Sequence, residues 1–327
     1  MNNLTRRHLL ATSAAAAGMG LAGPAIAQAA YPNQSIKIIV PFAAGGGGDA
    51  LARILAEKLN KPMGQQIVVD NRPGAGTIPG TEAGVRAAPD GYTLLLQVQN
   101  LVMLPFVANV AFNPLTDLIP VVEIVRAQSW LAVNTQRSNA KTAREFVAQA
   151  KASPNDAFYG TIGPGSSGHL MGYHFAEQTG LKWQHVPYKG GGPAAQALVA
   201  GEIPAAFIDL IVLKPHVESG KVRLIGVSGT TRSTVYPDVP TFAEQGIDGF
   251  TILAWAGLFA PKGTPQPIVD KIALETNKVL SDPDIIEKFR NIGYDAGKLV
   301  KNEFGAMVGA DSVRWEGLIK KVGVRLE

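Results

Sequence analysis

The stretch Ile36-Lys37-Ile38-Ile39-Val40-Pro41-Phe42-Ala43-Ala44-Gly45-Gly46-Gly47-Gly48-Asp49 decides the fold class. Its first five residues form a nearly continuous apolar run, which is typical of a strand buried on both faces of a parallel sheet. Apolar residues then recur at helical spacing from Leu51, and Asp49 is predicted to be the N-cap of that helix. The stretch therefore predicts a strand, a glycine loop and a helix, which is the repeating unit of an α/β protein.

The same alternation continues along the chain and predicts further strands at 67–69, 93–96, 130–133, 158–160, 184–186, 205–208, 224–227 and 251–255. Helices are predicted at 142–150 and 168–177, and two more near the C-terminus. We expect two lobes, each a mainly parallel sheet flanked by helices, with residues 28–128 and 252–327 in the first and 129–251 in the second. A ligand cleft is expected between the lobes, at the loops that follow the strands.

The composition limits the function classes. The chain has 327 residues and no cysteine, so disulfides, thiolate metal sites and cysteine nucleophiles are excluded. The net charge of +4 falls to +2 without Arg6 and Arg7. Because no basic block and no interleaved basic and aromatic stripe follows, no nucleic-acid partner is expected.

The N-terminus has the pattern of an export signal. Arg6 and Arg7 precede an uncharged, alanine-rich run that ends in small residues at Ala25 and Ala27. Glycines and a proline make this run too weakly apolar for a membrane anchor. Residues 1–27 are therefore predicted to be a cleaved twin-arginine-type signal peptide that directs the protein to the periplasm.

The first glycine loop allows two interpretations. Gly45, Gly47 and Ala50 satisfy a dinucleotide fingerprint, and Asp70 lies 20 residues beyond Ala50. The four residues 41–44 make this loop longer than the tight turn that the fingerprint needs. A twin-arginine-exported NAD(P)-dependent oxidoreductase is thus the alternative, whereas an anion site built from backbone N–H groups at a helix start, with no cofactor, is preferred.

Catalytic and metal-binding patterns are not found. The third glycine-rich loop carries Ser166, Ser167 and His169, but neither serine satisfies Gly-x-Ser-x-Gly. The five histidines form no H-E-x-x-H or H-x-H pair, and His174, His185 and His216 are expected to be surface or packing residues. A protein without catalytic residues or a metal site, and hence not an enzyme, is expected.

Several segments resemble one known family. They are Tyr31-Pro32 with residues 36–42, the glycine run ending at Asp49 with Ala52-Arg53, Asn71-Arg72-Pro73-Gly74-Ala75-Gly76, Pro89-Asp90-Gly91-Tyr92-Thr93-Leu94, His185-Val186-Pro187-Tyr188-Lys189-Gly190, Pro237-Asp238-Val239-Pro240-Thr241 and Gly257-Leu258-Phe259-Ala260-Pro261 with Gly263-Thr264-Pro265. In this order they resemble the periplasmic solute receptors of tripartite tricarboxylate transporters, also called Bug receptors. The resemblance spans nearly the whole chain after the signal.

The resemblance implies a two-lobed periplasmic binding protein fold that holds a small organic acid between the lobes. The acid would be a mono-, di- or tricarboxylate, an aromatic acid or an acidic amino acid, delivered to the large and small membrane subunits of the transporter. A receptor that feeds a sensor kinase remains an alternative. The residues implied to contact the ligand are Phe42, Ala43, Gly45, Gly46, Gly47, Asn71, Gly76, Thr77, Gln97, Gly163, Gly165, Ser166, Ser167, His169, Tyr188, Lys189 and Asp209.

One segment departs from the family pattern. After Tyr92 to Leu96 the chain continues Gln97-Val98-Gln99-Asn100-Leu101 where the family commonly has small polar residues and a histidine or asparagine. Gln97 is therefore expected to face the variable end of the ligand.

Overall fold

The structure is a computed structural model that describes residues 31–45, 47–251 and 253–323. Within it, Gln34–Glu327 forms one compact unit. The predicted signal peptide and Gly46 lie outside the described residues.

The described strands are β1 (Ile36–Val40), β2 (Ile67–Asn71), β3 (Thr93–Val98), β4 (Leu118–Ala127), β5 (Trp130–Asn134), β6 (Phe158–Thr161), β7 (Gln184–Pro187), β8 (Ala205–Ile208), β9 (Val222–Val227), β10 (Ala254–Pro261) and β11 (Asp295–Ala296). The helices are α1 (Gly47–Met63), α2 (Ile78–Val85), α3 (Leu104–Val107), α4 (Ala143–Ala152), α5 (Ser167–Thr179), α6 (Gly191–Ala200), α7 (Leu210–Glu218), α8 (Gln266–Leu280), α9 (Pro283–Asn291) and α10 (Lys301–Val322). Short 3-10 turns cover Ala75–Thr77, Gln99–Val102 and Pro154–Asp156.

The strands form two sheets. The first has the order β11-β4-β10-β3-β1-β2, and the second has the order β7-β6-β8-β5-β9. In the first, β1 is parallel to β2 and β3, whereas β10 is antiparallel to β3 and β4 and β11 is antiparallel to β4. In the second, β6 is parallel to β7 and β8, whereas β5 is antiparallel to β8 and β9.

Both sheets are therefore mixed, and the prediction of mainly parallel sheets is wrong. An apolar run indicates that a strand is buried on both faces, but it carries no information on the direction of its neighbours. The strands β5 and β10, which the sequence marks as crossings between lobes, each enter the middle of a sheet in the antiparallel direction.

Five elements are absent from the sequence-based prediction: β4, β11, α2, α3 and α9. The strand β4 contains polar residues that obscure its apolar pattern, and the Glu123 side chain in it is fully buried. The Glu123 carboxylate accepts hydrogen bonds from Arg126 Nε at 2.7 Å and from the backbone N–H of Lys298 at 3.2 Å. Burial of that charge is possible because Arg126 and the distant Lys298 backbone supply its partners, and no local pattern shows the second of these.

The helices pack against the two sheets. The helices α8 and α10 pack against β4, as predicted for the C-terminal helices, and α1 packs against β2. One buried apolar cluster runs from Leu95 in the first sheet to Phe175 and Phe207 in the second half of the chain. None of the described helices is long and apolar enough to cross a membrane.

Candidate ligand-binding site

The loop after β1 is held in place by Asp49. Because α1 begins at Gly47, Asp49 lies inside the first turn, and its prediction as N-cap is wrong. Its Oδ2 instead reaches back to accept hydrogen bonds from the Gly45 N–H at 2.8 Å and from Arg53 Nε at 2.9 Å. The Arg53 guanidinium holds the pKa of the Asp49 carboxyl below its usual range. Asp49 therefore fixes the loop that leads into α1.

Two glycines at the start of α1 lie against two aromatic side chains. A Cβ at Gly48 would lie 2.7 Å from the Phe42 ring, and a Cβ at Gly47 would lie 3.7 Å from the Tyr294 hydroxyl. The first-turn N–H groups of a helix have no intrahelical acceptor. The start of α1 therefore presents backbone donors beside a tyrosine hydroxyl that the sequence did not single out.

The loop after β2 lies against the first loop. The Asn71 amide Nδ2 donates to the Phe42 carbonyl at 3.1 Å. Gly76 and Thr77 both have left-handed backbone angles, with φ of 62° and 75°. A β-branched residue in this region is strained, and such strain is concentrated at functional loops. The two loops therefore form one surface at the edge of the first sheet, where Ala43, Gly45 and Gly76 are exposed.

The Gln97 side chain is hydrogen-bonded to Thr77 of this surface. Its side chain is fully buried, and its Nε2 donates to the hydroxyls of Thr77 at 3.0 Å and Thr81 at 2.8 Å. Its Oε1 accepts from the Val98 N–H at 2.8 Å. The expectation that Gln97 faces the ligand is therefore not met in this structure, because its amide is already engaged in holding Thr77.

The two serines of the third loop differ in role. The Ser166 hydroxyl caps α5 by accepting from the His169 N–H at 3.3 Å, and it donates to the Gly163 carbonyl at 2.7 Å. The Gly165 N–H donates to His169 Nδ1 at 3.2 Å. Among the described residues no partner bonds the Ser167 hydroxyl, which is partly exposed at the start of α5. Ser167 is therefore the serine available to a ligand.

Two histidine rings stack beneath the third loop. The centroids of His169 and His185 are 3.8 Å apart with an interplanar angle of 9°, and His185 Nε2 lies 2.7 Å from Thr161 Oγ1. Burial lowers the pKa of His169, and burial followed by the nearby His169 lowers the pKa of His185 to about 4. Both rings are therefore neutral at pH 7. His185 therefore has the expected packing role, and the ring it packs against is that of His169.

Tyr188 and Lys189 follow β7 beside the third loop. The Tyr188 N–H donates to the Thr161 carbonyl at 3.0 Å, and its ring lies 3.2 Å from where a Cβ at Gly160 would be. Burial, and then the charge of Glu202, raise the pKa of the Tyr188 phenol. Tyr188 therefore packs over the end of β6, whereas the exposed Lys189 forms no ion pair with the described residues.

Asp209 lies where β8 ends and α7 begins. It occupies the N-cap position, but its side chain makes no capping hydrogen bond. The residue is exposed to solvent, yet desolvation by the surrounding protein raises the pKa of its carboxyl. Burial, and then the charge of the nearby Asp209, raise the pKa of the Tyr294 phenol, so the two groups lie near each other. We call the surface around Asp209, Tyr294 and Gly47 the recess.

These contacts connect the loops of both sheets. Asn71 joins the first two loops, and Tyr294 lies near both the start of α1 and Asp209. A Cβ at Gly168 would lie 2.4 Å from the Phe207 carbonyl, so α5 begins against β8.

Two open cavities of about 370 and 280 Å³ lie away from these loops. The first is lined by Thr142, Arg144, Glu244, Gln245 and Gly246, and the second by Thr135, Val217, Gly220, Val222, Arg223, Leu224, Tyr236 and Val239. The candidate ligand-binding site is therefore identified by the contacts between these loops and not by an enclosed cavity.

Two chemistries are not supported by the described residues. Asp70, the acidic residue of the dinucleotide fingerprint, forms ion pairs with Arg72 at 3.0 Å and Lys37 at 3.8 Å. No group of histidine and acidic side chains within residues 31–45, 47–251 and 253–323 could hold a metal ion. The oxidoreductase alternative is therefore not favoured.

Solved structures of similar sequence share this fold. The periplasmic binding protein BugD is 32% identical with a TM-score of 0.76, covering 90% of this chain and 99% of BugD. Rpa4515 of R. palustris, solved with adipate, is 30% identical with a TM-score of 0.81, covering 90% and 99%. MatC (Rpa3494) of Rhodopseudomonas palustris, solved with malate, is 29% identical with a TM-score of 0.75, covering 88% and 100%. The expected fold of a periplasmic binding protein is confirmed.

Sequence comparison leads to the same family. Protein BugT of Bordetella pertussis is 33% identical over 311 residues, covering 94% of this chain and 95% of BugT. The family model described as "Tripartite tricarboxylate transporter family receptor" matches residues 51–324. The chain therefore belongs to the TctC family of tripartite tricarboxylate transporter receptors, the Bug solute receptors.

Proposed function

We propose that this protein is a periplasmic receptor that binds a small organic carboxylate at the recess between the two sheets and releases it unchanged to the large and small membrane subunits of a tripartite tricarboxylate transporter. The observation that carries the proposal is that the start of α1 lies beside Tyr294, whose segment packs on Leu210 next to Asp209, while the start of α5 lies against Phe207, two residues before Asp209. Helix starts attract anions through free N–H groups and the helix dipole.

The lobes of this receptor would be residues 28–128 with 252–327, and residues 129–251. This division is supported by the sheets, because strands of the first come from 36–127 and 254–296 and strands of the second from 130–227. Export by the twin-arginine signal at residues 1–27 would place the receptor in the same compartment as the periplasmic relative BugD.

Within the recess, the amides at the starts of α1 and α5, the Thr77 loop and the Ser167 hydroxyl would hold the carboxylate. Phe42, Asn71 and Thr77 would shape its first-sheet side. His169 and Ser166 would keep the third loop in its conformation, as their hydrogen bonds in this structure support.

Calorimetry and thermal shift with purified protein test this proposal. The panel is malate, succinate, adipate, aspartate and benzoate, since adipate and malate occupy the related receptors. At least one acid should bind saturably, raise the melting temperature and be recovered unchanged by mass spectrometry. Multiple turnovers, or no binding across the panel, would overturn the proposal.

A further inference from the structure

We infer that the Tyr294 hydroxyl donates a hydrogen bond to the ligand carboxylate at the start of α1, which makes Tyr294 a specificity-determining residue. This inference rests on the proposed function, because it assigns a partner to the same ligand. It depends on how Tyr294 is placed, on what its hydroxyl faces, and on which hydrogen bonds that hydroxyl lacks.

The backbone on both sides of Tyr294 is fixed. Helix α9 ends at Asn291, and Gly293 beyond it has a φ of 87°. The Gly293 N–H donates to the Arg290 carbonyl and the Tyr294 N–H to the Phe289 carbonyl, each at 2.9 Å. These two bonds are a Schellman motif, which turns the chain sharply out of a helix. The next residue, Asp295, begins β11 and pairs with Arg126 of β4. The Tyr294 side chain therefore leaves a segment that is anchored to the first sheet.

That segment reaches elements of both sheets. The hydroxyl lies 3.7 Å from the Cβ position of Gly47, the first residue of α1. A Cβ at Gly293 would lie 3.0 Å from the Leu210 Cβ, so the same segment packs on the first turn of α7. The Tyr294 hydroxyl thus lies beside the start of α1, while the backbone that carries it packs on the start of α7. A helix start is the region in which a bound anion would lie.

The hydroxyl is also an unused donor. It has no hydrogen-bond partner among the described residues, and neither does the nearby Asp209 carboxylate. Burial and the Asp209 charge raise the pKa of Tyr294, so the phenol keeps its proton at neutral pH. A protonated phenol beside the open amides of α1 can donate to a carboxylate oxygen that those amides also bind.

The closeness of the two groups supports the same assignment. The Cβ position of Gly47 lies 3.7 Å from the Tyr294 oxygen, which is an ordinary contact distance. The Gly47 backbone and the Tyr294 hydroxyl are therefore close enough to approach the same ligand group.

The test compares Tyr294→Phe with Tyr236→Phe in calorimetry against the acid of the panel that binds the wild type most tightly, chosen among malate, succinate, adipate, aspartate and benzoate. Tyr236 lies beside Trp130, with ring centroids 5.9 Å apart, and serves as the matched control. Loss of one hydrogen bond to a charged group should weaken binding by Tyr294→Phe about 10- to 100-fold, while Tyr236→Phe keeps wild-type affinity. The ligand-free melting temperature of Tyr294→Phe should stay at the wild-type value, because the hydroxyl has no partner to lose.

The outcomes separate the two proposals. If no acid binds the wild type, the proposed function and this inference both fail. If the wild type binds and Tyr294→Phe binds equally well, only the inference fails. If Tyr294→Phe weakens binding and also lowers the ligand-free melting temperature, the hydroxyl has a structural role, and the inference is again overturned.

Discussion

Acidification should destabilise the fold through the stacked histidines. The pKa of His185 is lowered to about 4 by burial and by the nearby His169. An unfolded histidine titrates near ~6.5. Between these values the unfolded chain binds a proton that the folded chain does not, so stability that is present above pH ~6.5 is lost as the pH falls towards ~4.

The size of the loss follows from the difference in pKa. A depression of about 2.5 pH units at ~1.4 kcal/mol per unit sets an upper bound of about 3.4 kcal/mol. His185 is only partly buried, so solvent screening reduces the expected loss to about 1–2 kcal/mol. Thr161 contacts His185 and is uncharged, and the pKa of the stacked His169 is itself lowered by burial, so no described partner offsets the effect.

Urea unfolding of the wild type, His185→Gln and His216→Gln at about pH 7.5 and about pH 4.5 measures this effect. Carboxyl groups titrate in all three proteins, so the informative quantity is the difference in unfolding free energy between wild type and variant. For His185→Gln that difference should shrink by about 1–2 kcal/mol at the lower pH, because the glutamine has no proton to gain. His216→Gln, on α7 away from the stack, is the control for replacing a histidine by glutamine. A constant difference for His185→Gln would refute the reasoning.

Three further predictions concern the loops and export. Gln97→Leu should lower the unfolding free energy by about 2–4 kcal/mol in urea titrations, because it removes buried hydrogen bonds to two threonine hydroxyls; a loss below ~0.5 kcal/mol would contradict the buried network. Ser166→Ala should cost about 1 kcal/mol of stability through loss of the α5 cap, whereas Ser167→Ala should leave stability unchanged and weaken ligand binding in calorimetry; the opposite pattern would exchange their roles. Replacing Arg6 and Arg7 by lysine should retain the precursor in the cytoplasm on cell fractionation, and normal periplasmic yield would disprove the twin-arginine assignment.

The sequence predicts the elements whose signals are local. The strand at Ile36–Val40 has the predicted bounds, and the glycine loops follow β1 and β2 as expected. Strand direction is not local, which is why the mixed sheets were not predicted. The predicted strand at 251–255 begins at Ala254 instead and continues to Pro261, since its pairing with β3 and β4 decides its length.

Within the site, the missed residues act through distant contacts. Tyr294 follows a helix end with no glycine-rich or apolar signal around it, and only the contacts of its segment with Gly47 and Leu210 reveal its position. His185 begins one of the segments quoted for the family resemblance, but its stacking partner His169 is 16 residues earlier on α5, and no sequence pattern joins the two rings. Ser166 and Ser167 are adjacent and chemically identical, so only the observed cap on α5 tells them apart.

The charges around the recess favour recognition by dipoles over a fixed ion pair. Arg72 is paired with Asp70, and Arg53 is engaged by Asp49, so neither guanidinium is free to meet a ligand. The Asp209 carboxylate, which lies near Tyr294, repels anions, whereas the exposed Lys189 beside the third loop would attract them. A carboxylate can bind there only if amides at helix starts and uncharged hydroxyls outweigh that repulsion, and Asp209 then favours a ligand or water that presents a donor to it. Such a site selects one carboxylate in one orientation, because the anion must lie at the helix starts and away from Asp209.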